Sequence, residues 1–160
     1  VQRHAALHRH SRLLGLVAHD HAHARHDREV RKALAAARLR EALALAPRHP
    51  AALYSLGRLY YSQGRYPEAV THLKLLTELE PANFRAHDNL ALCYDLLQQD
   101  TFALKHFFRA LDLVKDAHRD YDWAFSNTAE FFLKRDQFDK ALQLAAEAAS
   151  RNPQSARNFY

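Results

Sequence analysis

Apolar residues recur at helical spacing along most of the chain, in short runs broken by prolines, glycines and polar turns. Between Pro50 and Pro81, Leu53, Leu56, Gly57 and Tyr60 stand three, one and three residues apart, which places them on one stripe of a helix. Gly64 interrupts the run. Beyond it, Ala69, Leu73 and Leu76 form a second stripe, and Pro81 ends that helix because proline has no amide proton and clashes with the preceding turn. Neither helix is long enough to hold in isolation. The stretch therefore predicts two amphipathic helices folded into a hairpin, with small Gly57 and Ala69 where two backbones come close.

The same arrangement repeats. Small residues fall at Ala35, Ala69, Ala103 and Ala141, separated by 34, 34 and 38 residues. Helix-ending prolines fall at Pro47, Pro81 and Pro153, with Lys115 in the remaining place. The periodicity divides the chain into a lead-in helix at 1–15, a degenerate first repeat at 16–49, a second at 50–83, a third at 84–121 and a fourth at 122–155, with a further helix starting at 156–160. In the degenerate unit, 16–31 puts His19, Ala22, His23 and His26 where packing residues are expected, while Lys32 to Ala46 carries a stripe of Leu34, Ala35, Leu39, Ala42 and Leu43. In the third unit, helices are expected over 84–98 and 101–114, with Asp100 and Thr101 as turn and helix cap. Four extra residues lengthen either its second helix or the loop around 115–122. The fourth unit comprises helices near 122–134 and 138–151, and Leu142, Ala145, Ala146 and Ala149 offer an apolar face for a neighbour to cover.

These residues resemble the tetratricopeptide repeat, whose pattern W-x2-L-G-x2-Y, A-x3-F and P recurs every 34 residues. Leu53 takes the Trp place in the second unit, followed by Leu56, Gly57, Tyr60, Ala69, Leu73 and Pro81. In the third, His87, Leu90, Ala91, Tyr94, Ala103 and Phe107 correspond. In the fourth, Phe125, Thr128, Ala129, Phe132, Ala141, Ala145, Ala148 and Pro153 do so. The resemblance covers 16–153 and implies an all-α fold: a right-handed superhelical array of antiparallel helix pairs, an α-solenoid.

Composition adds bounds. With 160 residues, three glycines and five prolines, the chain suits one helical array better than two globular domains. No run approaches the ~18 apolar residues of a membrane span, and a secretory signal pattern is missing from the start. A cytoplasmic location is favoured, with periplasmic or secreted ones open. Val1 at the start and the lack of methionine read as a piece of a longer protein. The single Cys93 rules out an internal disulfide, and with no motif to activate it the thiol reads as structural. The net charge of +5 is concentrated in residues 1–50, with 10 Lys and Arg against 4 Asp and Glu. That basic stretch lacks aromatic residues and any nucleic-acid-binding motif, so a nucleic-acid partner is not expected.

Enzyme chemistry finds little support, since the phosphate loop, nucleophile elbow and dinucleotide turn are all missing. No cofactor is implied. His19, His23 and His26, at i, i+4 and i+7 on one helix face, are the alternative chemistry: two or three imidazoles able to share a zinc or nickel ion. The array could also be the regulatory arm of a longer enzyme.

The resemblance implies a non-catalytic protein–protein interaction scaffold whose first helices line a concave groove for a peptide or partner segment. Groove candidates are the first-helix residues off the packing stripe: Tyr54, Arg58 and Tyr61; Arg85, Asp88, Asn89 and Asp95; and Trp123, Asn127, Glu130 and Lys134. Chaperone-binding members of the family hold a C-terminal carboxylate with a Lys and Asn clamp. Tyr54 and Arg58 stand where its first pair would be, which disfavours that ligand, although Asn89 fits a clamp-like place. Exposed terminal repeats leave homo-oligomer formation open.

Overall fold

The computed structural model describes residues 26–115, 118 and 121–153. The chain divides into two compact units, Val1–Glu41 and Ala42–Tyr160. Residues 26–45 (α1) are helical, so the helix runs straight through positions 31 and 32, where the pattern suggested two segments. Within it Ala36 is buried and Leu39 and Leu43 are half-buried, Leu43 against the Leu53, Leu76 and Ala86 cluster, while Leu34, Ala35 and Ala42 are exposed, so the expected stripe keeps Leu39 and Leu43 but runs through Ala36 in place of Ala35. Alanine at positions 33, 35, 36 and 37 favours helix without fixing which face packs.

Six helices build the second unit: α2 (Pro50–Ser62), α3 (Tyr66–Leu79), α4 (Phe84–Leu96), α5 (Asp100–Val114), α6 (Trp123–Leu133) and α7 (Phe138–Arg151). Together with α1 they make seven helices among the described residues, with no strand. The chain is an all-α array of antiparallel helix pairs. α2 packs on α3, α4 on α5 and α6 on α7, and each second helix also meets the next first helix, α3 with α4 and α5 with α6. The first helices touch in turn as well, α2 with α4 and α4 with α6.

Each hairpin turns through one residue in the left-handed region: Gly64 at φ 74°, Gln98 at 58° and Asp136 at 57°. Only the first is a glycine, the residue that pays no steric cost there. Its neighbour in the pattern, Gly57, has a different reason to lack a side chain: a Cβ there would lie 2.7 Å from Leu73 Cγ. The two helices of this hairpin are therefore close enough that Leu73 fills the space over the Gly57 backbone. Leu53, Leu56, Tyr60, Ala69, Leu73 and Leu76 are all buried, as the helical spacing predicts.

α5 begins at Asp100, with Gln99 at the cap position and no side-chain cap bond. The expected cap at Asp100 and Thr101 is not formed, because Asp100 turns instead to Arg135, whose Nε donates to its Oδ2 at 2.8 Å. The caps that do form are His49, whose Nδ1 accepts from Ala52 N at 3.3 Å, and Asn83, whose Oδ1 accepts from Ala86 N at 3.0 Å. α3 and α4 are joined through 80–83, and α5 and α6 through 115–122. Where that longer connection ends, Ala110, Val114, Ala124, Phe125 and Ala148 form a core cluster, with Phe84, Leu111, Tyr121 and Leu144 packed against it. On α7, Leu142 is 72% exposed and Ala145 is exposed too. Ala145 occupies the place of the fully buried Leu73 and Phe107, but no helix among the described residues lies over it.

Candidate partner-binding groove

The first helices α2, α4 and α6 lie side by side, and the polar residues along them are linked from one helix to the next. Asn89 on α4 donates through Nδ2 to the Tyr54 hydroxyl of α2 at 3.4 Å and to Arg85 O at 2.7 Å. Asp88 on α4 accepts through Oδ2 from Asn127 Nδ2 of α6 at 2.9 Å and from the Tyr121 hydroxyl at 3.3 Å. Asp95, at the far end of α4, meets Lys134 at 3.4 Å and Arg135 at 2.9 Å. Lys134 pairs in turn with Glu130 at 2.9 Å, and this bond, ahead of the contribution of Asp95, raises the ammonium's affinity for its proton. The ladder follows from helical spacing. Residues 88 and 95, seven apart, share the face of α4 that meets the following repeat, while 89 is turned toward α2 of the preceding one.

Of the predicted groove residues, Arg58, Arg85, Glu130 and Lys134 are exposed, Tyr54, Tyr61, Asn89 and Asn127 are half-buried, and Trp123 is 61% exposed. Arg58 rests over the Tyr54 ring, 5.7 Å from its centroid. Asp88 and Asp95, expected on the open face, are instead buried, because the neighbouring first helix and its flanks cover them with Asn127, Tyr121, Lys134 and Arg135. Asp88 is the more constrained. It is 2% exposed, its Oδ1 has no hydrogen-bond partner, and burial raises its carboxyl to about 6 against the opposing pull of the Asn127 and Tyr121 bonds.

Sequence reasoning missed Arg135 and Tyr121. Arg135 lies beyond the end of α6, outside the helical pattern, yet its guanidinium joins Asp95 and Asp100, donates to Phe131 O at 3.0 Å and stacks 3.6 Å from the Phe131 ring centroid. Also unforeseen is the pair His87 and His106, whose Nδ1 atoms are 2.9 Å apart, with His87 Nε2 donating to Pro81 O at 3.1 Å. With its Nε2 protonated, neutral His87 accepts at Nδ1 from His106 Nδ1–H. Cys93 is fully buried and its thiol is pushed up to about 12 by that burial, which suppresses the nucleophilic thiolate. Of the predicted metal ligands, His26 is exposed on α1, while His19 and His23 lie outside the described residues.

Two family models, both described as tetratricopeptide repeat, match residues 31–98 and 86–118. The chain belongs to the tetratricopeptide repeat family. Among curated proteins it is similar to Hsp70-Hsp90 organizing protein 3 of Arabidopsis thaliana, 27% identical over 99 residues that make up 62% of this chain and 17% of that protein. Similar solved structures include a fragment of MamA from residue 41 to its end, from Desulfovibrio magneticus RS-1, with a TM-score of 0.69, 20% identity and coverage of 76% of this chain and 67% of that one. A second MamA crystal structure gives a TM-score of 0.64 at 21% identity, covering 72% of this chain and 65% of the other. At these identities the likeness defines the fold. Among the described residues no helix is long and apolar enough to cross a membrane.

Proposed function

We propose that the chain is a non-catalytic interaction scaffold that receives a peptide or partner segment along the face formed by α2, α4 and α6. The observation that carries this reading is the polar ladder Tyr54–Asn89, Asp88–Asn127 and Asp95–Lys134. It spans three consecutive first helices and leaves Arg58, Arg85, Glu130, Lys134 and Trp123 exposed around it. Asn89 uses its amide protons on Tyr54 and Arg85, and its Oδ1 remains to accept a backbone N–H from an extended segment. Arg and Trp are the side chains that most often anchor such contacts. Asp88 and Asp95 act from below by fixing Asn127 and Lys134.

The name of the Arabidopsis relative associates that protein with Hsp70 and Hsp90. For this chain, Tyr54 and Arg58 argue for an internal segment over a C-terminal carboxylate, because neither reproduces the Lys and Asn clamp of the chaperone-binding repeats. The reading is tested by a crosslinking and pull-down screen, followed by titration of the recovered partner's peptide against the wild-type chain and the Arg58→Ala and Asn89→Ala variants. Affinity in the micromolar range, about −8 kcal/mol, is expected, with each variant weaker by about fivefold or more. Unchanged binding in both variants removes the groove assignment.

A further inference from the structure

The second helices carry a charged surface of their own. Lys105, Arg109, Asp112 and Lys115 fall along one side of α5 at spacings of four, three and three. They border an open cleft of about 1220 Å³ between α5 and α7, with Phe108, Leu111 and Phe125 also in its wall.

The charges in this cleft are unbalanced. Glu147 is held by Arg151 at 2.8 Å. The other nitrogens of Arg151 donate to Val114 O at 3.3 Å and Lys115 O at 3.1 Å, closing the C-terminal end of α5. These two residues satisfy each other and the helix end. Among the described residues Lys105, Arg109 and Lys115 make no ion pair, and Arg109 makes only a 3.5 Å approach to Pro81 O. Among the described residues, three cations outside any ion pair thus face one such carboxylate, Asp112. The buried His87 beside them responds to the excess: after burial, Arg109 and then Lys105 depress its affinity for a proton.

We propose that this cleft is a second docking site, on a different face from the groove, for an acidic peptide segment with two carboxylates flanking one apolar side chain. Lys105 and Lys115 are ten residues apart on a helix, about 15 Å. In an extended peptide, alternate side chains point the same way and rise about 3.3 Å per residue. Carboxylates at i and i+4 therefore span about 13 Å, and the side chain at i+2 falls against Phe108 and Leu111. A nucleic-acid strand fits less well. Its charge is continuous, so Asp112 and Glu147 would oppose it, and it offers no apolar side chain for Phe108 and Leu111.

The test is fluorescence anisotropy on the full chain with a labelled peptide of core sequence Glu-Gly-Phe-Gly-Glu in neutral flanks. A Gln-Gly-Phe-Gly-Gln peptide and a single-stranded oligonucleotide serve as the other probes. Measurements at about 20 and 300 mM salt bracket the screening range. The expected result is saturable binding of the acidic peptide that weakens with salt. Lys105→Ala and Arg109→Ala each reduce it by about two- to fivefold, and both side chains are exposed, so folding is not at risk. Arg58→Ala, on the groove face, leaves it unchanged. Equal binding of the Gln peptide, indifference to both α5 variants, no saturation at millimolar peptide, or tighter binding of the oligonucleotide each overturns the proposal.

Discussion

Asp88→Asn removes a charge whose cost is readable from its surroundings. The carboxyl is 2% exposed, receives hydrogen bonds from Asn127 and Tyr121 on Oδ2 only, and titrates near 6 in place of 3.8. The folded state therefore holds a proton that the unfolded chain releases between these two values, and stability from this group falls as pH rises from about 4 to about 6. Above that range the ionised carboxylate costs the folded state about 3 kcal/mol, or somewhat less with solvent relaxation. In the variant the amide oxygen keeps both hydrogen bonds. The amide nitrogen takes the place of the unpartnered Oδ1, so one orphaned group replaces another. The net expectation is a gain of about 1–3 kcal/mol at pH 7 that vanishes near pH 4.

His106 supplies an internal check because its sign is opposite. Burial, then His87 and Lys105, lowers it to about 4, so its contribution is complete above 6.5 and is lost as pH falls toward 4. In the wild-type chain the two groups offset one another across this window. With Asp88→Asn the acid loss from His106, joined by that of His87, is no longer offset, and stability should decline more steeply in acid. Thermal unfolding followed by circular dichroism from pH 4 to 8 measures both effects, with a rise in Tm of about 3–10 °C at pH 7. A variant no more stable than wild type at pH 7, or a gap of constant size at all pH values, would refute the reasoning.

Gly57→Ala is expected to cost about 1–2 kcal/mol despite the better helix propensity of alanine, since its Cβ would meet Leu73 Cγ at 2.7 Å and Cδ2 at 2.9 Å inside a closed core. A double-mutant cycle with Leu73→Ala checks this, because the Gly57→Ala penalty should disappear once Leu73 is shortened. Arg135→Ala should cost about 2–4 kcal/mol in urea unfolding, as it strips Asp100 of a two-nitrogen partner and leaves buried Asp95 with Lys134 at 3.4 Å. Arg135→Lys should recover less than half of that, because an ammonium cannot hold both carboxylates and stack on Phe131.

Packing was legible in the sequence wherever each helix meets a neighbour on both sides. Leu53, Leu56, Gly57, Tyr60, Ala69 and Leu73 could be placed from spacing alone, because burying one stripe per helix leaves few alternatives. The pattern misled where that constraint is weak. In α1, a run of alanines is compatible with several registers, and Ala36 is buried in place of Ala35. On α7, Ala145 matches the repeat pattern but no described helix covers it. The candidate groove was legible as a set of positions and illegible in its charges. Helical spacing puts Asp88 off the packing stripe of its own hairpin, and nothing in the spacing says that Asn127 and Tyr121, 39 and 33 residues later, will enclose it. Arg135 escaped because its role depends on the tertiary position of a turn, where periodicity carries no information.

The ladder between first helices has two roles that Asp88 separates. Contacts such as Arg135 with Asp95 and Asp100 join one repeat to the next with well-matched partners, so they favour the folded array. Asp88 joins the same repeats with one oxygen unsatisfied, and at neutral pH it opposes folding. A neutral hydrogen-bonding side chain would hold Asn127 and Tyr121 at lower cost. Under the proposed function, what the carboxylate adds beyond such a neutral side chain is negative potential at the groove floor. Asp88→Asn should then give a chain that is more stable at pH 7 and binds the groove peptide more weakly, by about fivefold, a trade between stability and function. Measuring both quantities on the same preparation distinguishes the roles: a gain in stability with unchanged peptide affinity would assign Asp88 to packing alone and remove it from the recognition surface.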